Sequence, residues 1–70
     1  SASLIEKAVQ IKGSVKNLAQ AIGVSYHTVL NWKNGRFLVS AINCKKIEKV
    51  TNGQVTAKEL LPNFPWDETE

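Results

Sequence analysis

Four side chains at positions 26, 27, 30 and 31 carry groups that can recognise the edges of DNA bases: Tyr26, His27, Leu30 and Asn31. Their spacing places them on one side of a helix. A phenol and an imidazole can donate hydrogen bonds, a leucine can contact the methyl group of thymine, and a carboxamide can pair with adenine through two hydrogen bonds. The pattern predicts a helix that reads the major groove, with Asn31 as the best candidate for sequence reading.

Three of these assignments have structural alternatives. Tyr26 could pack on its own helix, and His27 could contact a phosphate or be merely solvated. Leu30 could be an ordinary exposed leucine. The sequence alone leaves these alternatives open.

Polar and basic residues around the same helix predict contacts with the sugar-phosphate backbone. Such contacts fix the register of a protein on DNA rather than its sequence preference. The preceding helix begins with a lysine and an asparagine, at an end where free amides and the helix dipole favour a phosphate. The expected phosphate-binding residues are Lys16, Asn17, Ser25, Thr28, Lys33, Asn34 and Arg36.

The stretch from Ser14 to Gly35 has the pattern of a helix-turn-helix, two short helices joined by a tight turn. Ala19 is small enough to let the helices cross closely, and Gly23 can adopt the positive φ that ends a helix. Ser25 offers a hydroxyl to the free amides of the next helix, which therefore begins at about Tyr26. The apolar residues expected to share one core are Leu18, Ala19, Ile22, Val24, Val29 and Trp32.

Capping signals and apolar spacing predict the other helices. The two helices of the motif should span about 15–22 and 26–33. Ser3 with Glu6, and Thr56 with Glu59, have the spacing of capping boxes, which predicts helices over about 4–12 and 57–61. A fourth helix is expected after Ser40, with a buried face formed by Ala41, Cys44, Ile47, Val50 and Thr51.

The chain offers little support for β-structure. Pro62 stops the last helix, and the tail NFPWDETE is expected to be irregular. Only residues 37–39 and 54–56 could form strands, and neither has a convincing partner. We therefore predict an all-α fold, a compact bundle of four to five short helices in one domain over residues 1–66, followed by an acidic disordered tail at 67–70.

Charge is unevenly distributed along the 70 residues, whose net charge is +3. Eight Lys and Arg residues but one acidic residue, Glu48, lie between positions 7 and 49, whereas three of the last four residues are acidic. A basic segment suits a polyanion, because each neutralised phosphate releases bound counterions. Lys45, Lys46 and Lys49 either extend this phosphate-binding surface or are solvated.

Composition argues against several classes of function. One cysteine and one histidine provide neither a disulfide nor a familiar metal-ligand set, and no cofactor is expected. Cys44 should be a small buried residue rather than a redox switch. No pairing of nucleophile, base or metal supports an enzyme. Without a signal sequence or a long apolar stretch, the protein is expected to be cytoplasmic and reduced, with no membrane partner and no small-molecule substrate.

A protein-interaction module is the main alternative to a DNA-binding domain. A helix-turn-helix can serve as a docking surface, with the Phe64 and Trp66 tail as its anchor. Phe64 and Trp66 either fold back to close the core or join a partner subunit. A docking surface would tolerate acidic residues and expose more aliphatic area than the polar, basic surface around Tyr26, His27, Asn31 and Arg36.

Two groups of residues carry a family resemblance over about residues 4–66. They are the framework of Ala19, Gly23, Val29 and Trp32, and the later run of Ile47, Glu48, Thr51, Gly53, Val55, Thr56, Leu60 and Pro62. Through them the chain resembles the Cro-like and YdaS-like group of small phage and prophage regulators. Some members of that group end in a β-hairpin, for which this sequence lacks the alternating apolar pattern.

The resemblance implies a lambda-repressor-like fold and a repressor that binds double-stranded operator DNA through its third helix. Such a protein would bind a pseudo-palindromic operator as a homodimer, formed either in solution or only on DNA. Two copies of the third helix would then lie in successive major grooves about 34 Å apart.

Overall fold

The computed structural model describes residues 2–68. In chain order its α-helices are α1 (Ala2–Lys12), α2 (Val15–Ile22), α3 (Tyr26–Lys33), α4 (Ala41–Val50) and α5 (Ala57–Leu60). A 3-10 helix follows at Trp66–Glu68. Residues 2–68 contain no strand, so segments 37–39 and 54–56 are loops. The predicted all-α bundle is confirmed.

Side-chain hydroxyls set the starts of three helices. Ser14, Ser25 and Ser40 each accept a hydrogen bond from the backbone N–H three residues later, at 3.0, 3.2 and 3.4 Å. At the end of α2, Gly23 adopts the left-handed conformation with φ of 78°, and its N–H donates to the carbonyl of Ala19 at 2.9 Å. Because these signals act within four residues, α2 and α3 have the bounds that the sequence predicts.

The start of α1 differs from the prediction. α1 begins at Ala2, so Ser3 lies within its first turn and is not the N-cap that its spacing from Glu6 suggested. Ala2 is half-buried and lines a groove together with Ile5. Alanine has the highest helix propensity, and the longer helix also gains this tertiary contact. The predicted capping box at Ser3 is therefore wrong.

The core draws apolar side chains from all five helices and from two of the connections between them. Of the six core residues predicted in the helix-turn-helix, five are buried, and Val24 is half-buried against them. The face of α4 that was predicted to be buried is half-exposed at Ala41 and Val50. The buried apolar residues are Ile5, Ala8, Leu18, Ala19, Ile22, Val29, Trp32, Val39, Cys44, Ile47, Val55, Ala57 and Leu60.

Thr51, the residue after α4, is fully buried although it is polar. Its hydroxyl donates to the carbonyl of Ile47 at 2.8 Å and accepts from the backbone N–H of Val55 at 3.2 Å. Buried polar groups are tolerated when they are hydrogen-bonded. One side chain therefore joins the end of α4 to the connection that leads to α5.

The four-residue helix α5 is held at its N-terminus by three side chains. Thr56 and Glu59 form the predicted capping box, with the Thr56 hydroxyl accepting from the Glu59 N–H at 3.2 Å and the Glu59 carboxylate accepting from the Thr56 N–H at 3.0 Å. Glu48 on α4 accepts from the N–H of Ala57 at 2.7 Å. α5 is thus fixed to α4 as well as capped locally.

The capping box predicts a pH dependence of stability. The backbone hydrogen bond from Thr56 is the main cause that lowers the pKa of the Glu59 carboxyl. A carboxyl whose pKa is lowered by folding stabilises the fold above its unfolded pKa, and that contribution is lost as the pH falls through the folded pKa. We expect Glu59→Gln to be less stable than the unaltered chain at pH 7, with a difference that shrinks as the pH falls below the ordinary pKa of a glutamate. Urea unfolding at pH 7 and at a series of lower pH values measures the difference, and a difference that does not change with pH would contradict this origin.

The C-terminal segment folds back onto the bundle. The indole N–H of Trp66 donates to the carbonyl of Leu61 at 2.8 Å. The ring centroids of Trp66 and Phe64 are 4.6 Å apart. Trp66 packs against the core, which confirms that it folds back. The tail was expected to be irregular, but it contains one turn of 3-10 helix. Thr69 and Glu70 lie outside the described residues, so the domain limits and the disordered tail stay predictions.

Candidate nucleic-acid interface

The first two turns of α3 remain accessible, while the opposite face of the helix packs into the core. Val29 and Trp32 point into the core, with 0% and 5% of their surface exposed. Tyr26 is 50% exposed and His27 is exposed, whereas Leu30 and Asn31 are half-buried. None of the four predicted base-reading side chains is buried, and α3 brings all four together.

Tyr26 and His27 form a ring pair at the start of α3. Their ring centroids are 5.8 Å apart and their planes are inclined at 75°, an edge-to-face arrangement. This contact restricts the orientation of both rings. Half of Tyr26 nevertheless stays exposed, so packing on its own helix accounts for only part of its surface.

Ser25 and Thr28 lie beside this turn and bond to each other. Their hydroxyl oxygens are 2.9 Å apart, and the Ser25 hydroxyl also accepts from the Thr28 backbone N–H. Each hydroxyl carries one hydrogen, and one of the two hydrogens is used in the mutual bond. The pair can therefore offer one O–H group to a phosphate.

Lys16 and Asn17 are exposed in the first turn of α2. The side-chain amide of Asn17 donates to the carbonyl of Lys12 at 3.0 Å, which ties the end of α1 to the start of α2. The sequence analysis missed this structural role. An amide group has a second N–H, so the bond to Lys12 does not prevent a phosphate contact.

Three further predicted phosphate-binding residues cluster at the end of α3. Lys33 is half-buried in its last turn, Asn34 caps its C-terminus and is exposed, and Arg36 is exposed in the following loop. The backbone N–H of Arg36 donates to the carbonyl of Asn31 at 2.9 Å. This bond fixes the start of the loop against α3.

Two of the three lysines of α4 make intramolecular contacts, whereas the sequence analysis expected them either to bind phosphate or to be solvated. The Lys46 ammonium lies 3.5 Å from the carbonyl of Ile22, at the C-terminal end of α2, where a cation complements the helix dipole. The Lys45 ammonium lies 5.6 Å from the centroid of a Trp66 ring. Lys49 is exposed.

Neither α2 nor α3 contains an acidic residue. No acidic residue lies between Glu6 and Glu48 in the sequence. The Glu48 carboxylate accepts from the N–H of Ala57 on α5, so it is engaged at another part of the bundle. A phosphate approaching the first turn of α2 meets Lys16, and one approaching the end of α3 meets Lys33 and Arg36, with no carboxylate in either helix.

The structure agrees with the structural role expected for Cys44. Its thiol is fully buried and donates to the carbonyl of Val39 at 3.6 Å, and burial raises the pKa of the thiol. A raised pKa disfavours the reactive thiolate. Within residues 2–68, no three His, Cys, Asp or Glu side chains are grouped to hold a metal ion. No helix in that range has the length and apolar character of a membrane span.

The sequence analysis missed three exposed apolar side chains, Phe37, Leu38 and Ile42. These side chains are 65%, 81% and 71% exposed. Residues 37–39 were considered only as a possible strand. The signal was a run of three apolar residues in a connection between two helices, of which the structure buries only Val39.

Comparison with known protein families matches residues 5–69 to the family described as "Bacterial toxin YdaS". The chain is 33% identical over 61 residues to the "Putative transcriptional regulator YdaS" of Escherichia coli (strain K12), covering 87% of this chain and 62% of that protein. It is 31% identical over 55 residues to the "Regulatory protein cro" of Pseudomonas phage D3, covering 79% of this chain and 75% of that protein. The chain thus spans less than two thirds of the E. coli relative. No solved structure matches.

Proposed function

This chain belongs to the family described as Bacterial toxin YdaS, and on that premise we propose that it is a sequence-specific DNA-binding regulator of transcription. The observation that carries the proposal is the accessible start of α3, held by Val29 and Trp32 and free of nearby acidic residues in sequence. The names of its two relatives, a transcriptional regulator and a Cro protein, support a regulatory role over catalysis.

In this proposal α3 enters the major groove with its N-terminal turns first. Tyr26 and His27 contact base edges or phosphates at the helix start, and Leu30 contacts a thymine methyl group. Asn31 lies one turn beyond His27 and pairs with adenine through its carboxamide. The edge-to-face contact between Tyr26 and His27 restricts both rings before DNA is bound, so less side-chain entropy is lost on binding.

The phosphate contacts lie on both sides of the reading residues. Lys16 and Asn17 stand at the start of α2, Ser25 and Thr28 before and within the first turn of α3, and Lys33, Asn34 and Arg36 at its end. Contacts on both sides fix the angle at which α3 enters the groove.

We further propose a mode of regulation. Two copies bind a pseudo-palindromic operator in successive major grooves about 34 Å apart. Bound there, in the bacterial cytoplasm, they exclude polymerase or compete with another regulator. The spacing of the two half-sites in a selected operator tests this arrangement directly.

The experiment that tests the proposal is selection of bound duplexes from a random pool at moderate salt, followed by sequencing. Enrichment of a defined motif is the expected result, and a motif with two-fold symmetry supports the paired arrangement. Failure to enrich any motif would overturn specific DNA binding and favour a docking module, for which the exposed Phe37, Leu38 and Ile42 are the candidate surface.

Lys16→Ala is expected to weaken binding to every duplex alike. Lys16 is exposed in the first turn of α2, where it can neutralise one phosphate but reaches no base in the proposed arrangement. Losing one such contact lowers the magnitude of the slope of log K against log salt by about 1. Fluorescence anisotropy at several salt concentrations measures the slope.

The matched control is Lys58→Ala, which removes the same charge from an exposed position on α5. We expect its slope to match that of the unaltered chain. A loss for Lys16→Ala that is confined to the selected duplex, or equal slopes in the two variants, would contradict a phosphate contact at Lys16.

A further inference from the structure

The chain leaves α3 through a residue in the left-handed conformation. Gly35 has a φ of 75°, and it follows Asn34, the C-terminal cap of α3. The backbone N–H groups of residues 34–36 close the turn by donating to carbonyls of α3 at 3.0, 3.1 and 2.9 Å. The last of these bonds joins Arg36 to Asn31 across five residues, which identifies the turn as a Schellman motif.

α4 ends in the same motif with a different residue at the turn. Asn52 takes the position that corresponds to Gly35, and its φ is 54°. The N–H of Asn52 donates to the carbonyl of Lys49 at 3.1 Å, and the N–H of Gly53 donates to the carbonyl of Glu48 at 2.9 Å. Asparagine tolerates the left-handed conformation better than most residues. This chain therefore closes one Schellman motif with glycine and another with asparagine.

The requirement at position 35 is for a backbone conformation and not for space. A Cβ atom added to Gly35 meets no heavy atom of a non-neighbouring residue within 4 Å. An L-residue in the left-handed conformation is still strained, because its Cβ crowds the backbone, and a β-branched side chain is strained most. A substitution at Gly35 therefore acts on the turn without inserting bulk into the core.

The turn determines where Arg36 lies. Arg36 is exposed, and its backbone is bonded to that of Asn31, so the chain reverses beside a predicted base-reading residue. A phosphate contact sets the register of a protein on DNA. It can do so for α3 only if its position relative to the base-reading residues is fixed. The bond between Arg36 and Asn31 supplies this fixed relation.

We propose that Gly35 is a positioning residue for DNA binding, because its left-handed turn holds Arg36 beside Asn31, where the guanidinium reaches a phosphate next to the base pair that Asn31 reads. This inference rests on the proposed DNA-binding function and on the phosphate contact proposed for Arg36. Gly35 then acts on DNA only through Arg36, and its effect is the same for every base sequence.

The test is Gly35→Val, measured by fluorescence anisotropy on the selected and random duplexes at several salt concentrations. Valine is β-branched and disfavours the left-handed turn strongly. Gly35→Val should weaken binding to every duplex alike and lower the magnitude of the slope of log K against log salt by about 1, as Arg36→Ala does. The double variant should bind within about twofold of Arg36→Ala, whereas independent losses would multiply.

Gly35→Asn provides the rescue. It should bind DNA like the unaltered chain, because asparagine already adopts this conformation at position 52. Urea unfolding verifies that each variant folds. Gly35→Ala carries less strain than Gly35→Val and is measured in the same way, so the test does not depend on one variant. Its loss should be smaller and should also disappear in the Arg36→Ala background.

The matched control is Asn52→Val, the same side chain introduced at the corresponding position after α4. It should lower the free energy of unfolding, as Gly35→Val does, but leave the DNA affinity and the salt slope unchanged. A loss of DNA affinity equal to that of Gly35→Val would show that both variants act through stability alone.

The remaining outcomes separate the two proposals. If the unaltered chain prefers no duplex, the DNA-binding function itself fails. If it binds selectively but Arg36→Ala leaves the slope unchanged, DNA binding stands and the positioning role of Gly35 falls. The role also falls if Gly35→Val reduces affinity equally with and without Arg36, or if Gly35→Asn binds as weakly as Gly35→Val.

Discussion

Trp32→Ala is expected to remove a large share of the stability of this protein. Trp32 is 5% exposed and belongs to the core cluster that also holds Ile5, Val39 and Leu60. Truncating a buried tryptophan costs about 3–5 kcal/mol, because the transfer energy of the ring is lost and a cavity remains. A domain of this length has a total free energy of unfolding of roughly 4–10 kcal/mol. Thermal unfolding should therefore show a decrease in Tm of at least about 12 °C.

The second tryptophan provides the control for this experiment. Trp66 is half-buried, and its indole N–H donates a hydrogen bond to the carbonyl of Leu61. Trp66→Ala should cost clearly less stability than Trp32→Ala, because Trp66 buries less of its apolar surface and its removal leaves no enclosed cavity. An equal or larger loss for Trp66→Ala would show that the fold depends on its C-terminal segment more than on the helix-turn-helix.

Asn31→Ala is expected to relax sequence preference at one base pair of the selected operator. Alanine favours the helix, and the Asn31 carbonyl keeps its bond from Arg36, so α3 should retain its conformation. What is lost is the carboxamide, whose two hydrogen bonds to a base are worth about 1–3 kcal/mol of discrimination. Binding constants for the selected duplex and for its single-base-pair variants measure the change.

Asn34→Ala is the matched control for Asn31→Ala. Asn34 is an exposed asparagine at the C-terminal cap of α3, where we predict a phosphate contact. Its loss should weaken all duplexes alike and leave the preference at every position intact. Equal losses on the selected and random duplexes for Asn31→Ala as well would refute the proposed division between base-reading and phosphate-binding residues.

Most helix ends could be predicted from the sequence because the signals that set them are local. The hydroxyls of Ser14, Ser25 and Ser40 and the left-handed Gly23 act on backbone groups no more than four residues away. The inward positions of Val29 and Trp32 follow in the same way from helical spacing. Local signals failed at Ser3, because α1 begins at Ala2 and places Ser3 within its first turn.

The sequence by itself therefore determined the order and bounds of the two central helices, most of the core, and which side chains of α3 stay outside the core. Only the tertiary structure decided which polar groups are engaged elsewhere, such as Lys46 at the carbonyl of Ile22, and which apolar residues of the loop stay exposed, Phe37 and Leu38 but not Val39. The physical reason is distance along the chain. Lys46 and Ile22 are 24 residues apart, and burial of a loop side chain depends on which distant helices leave room for it.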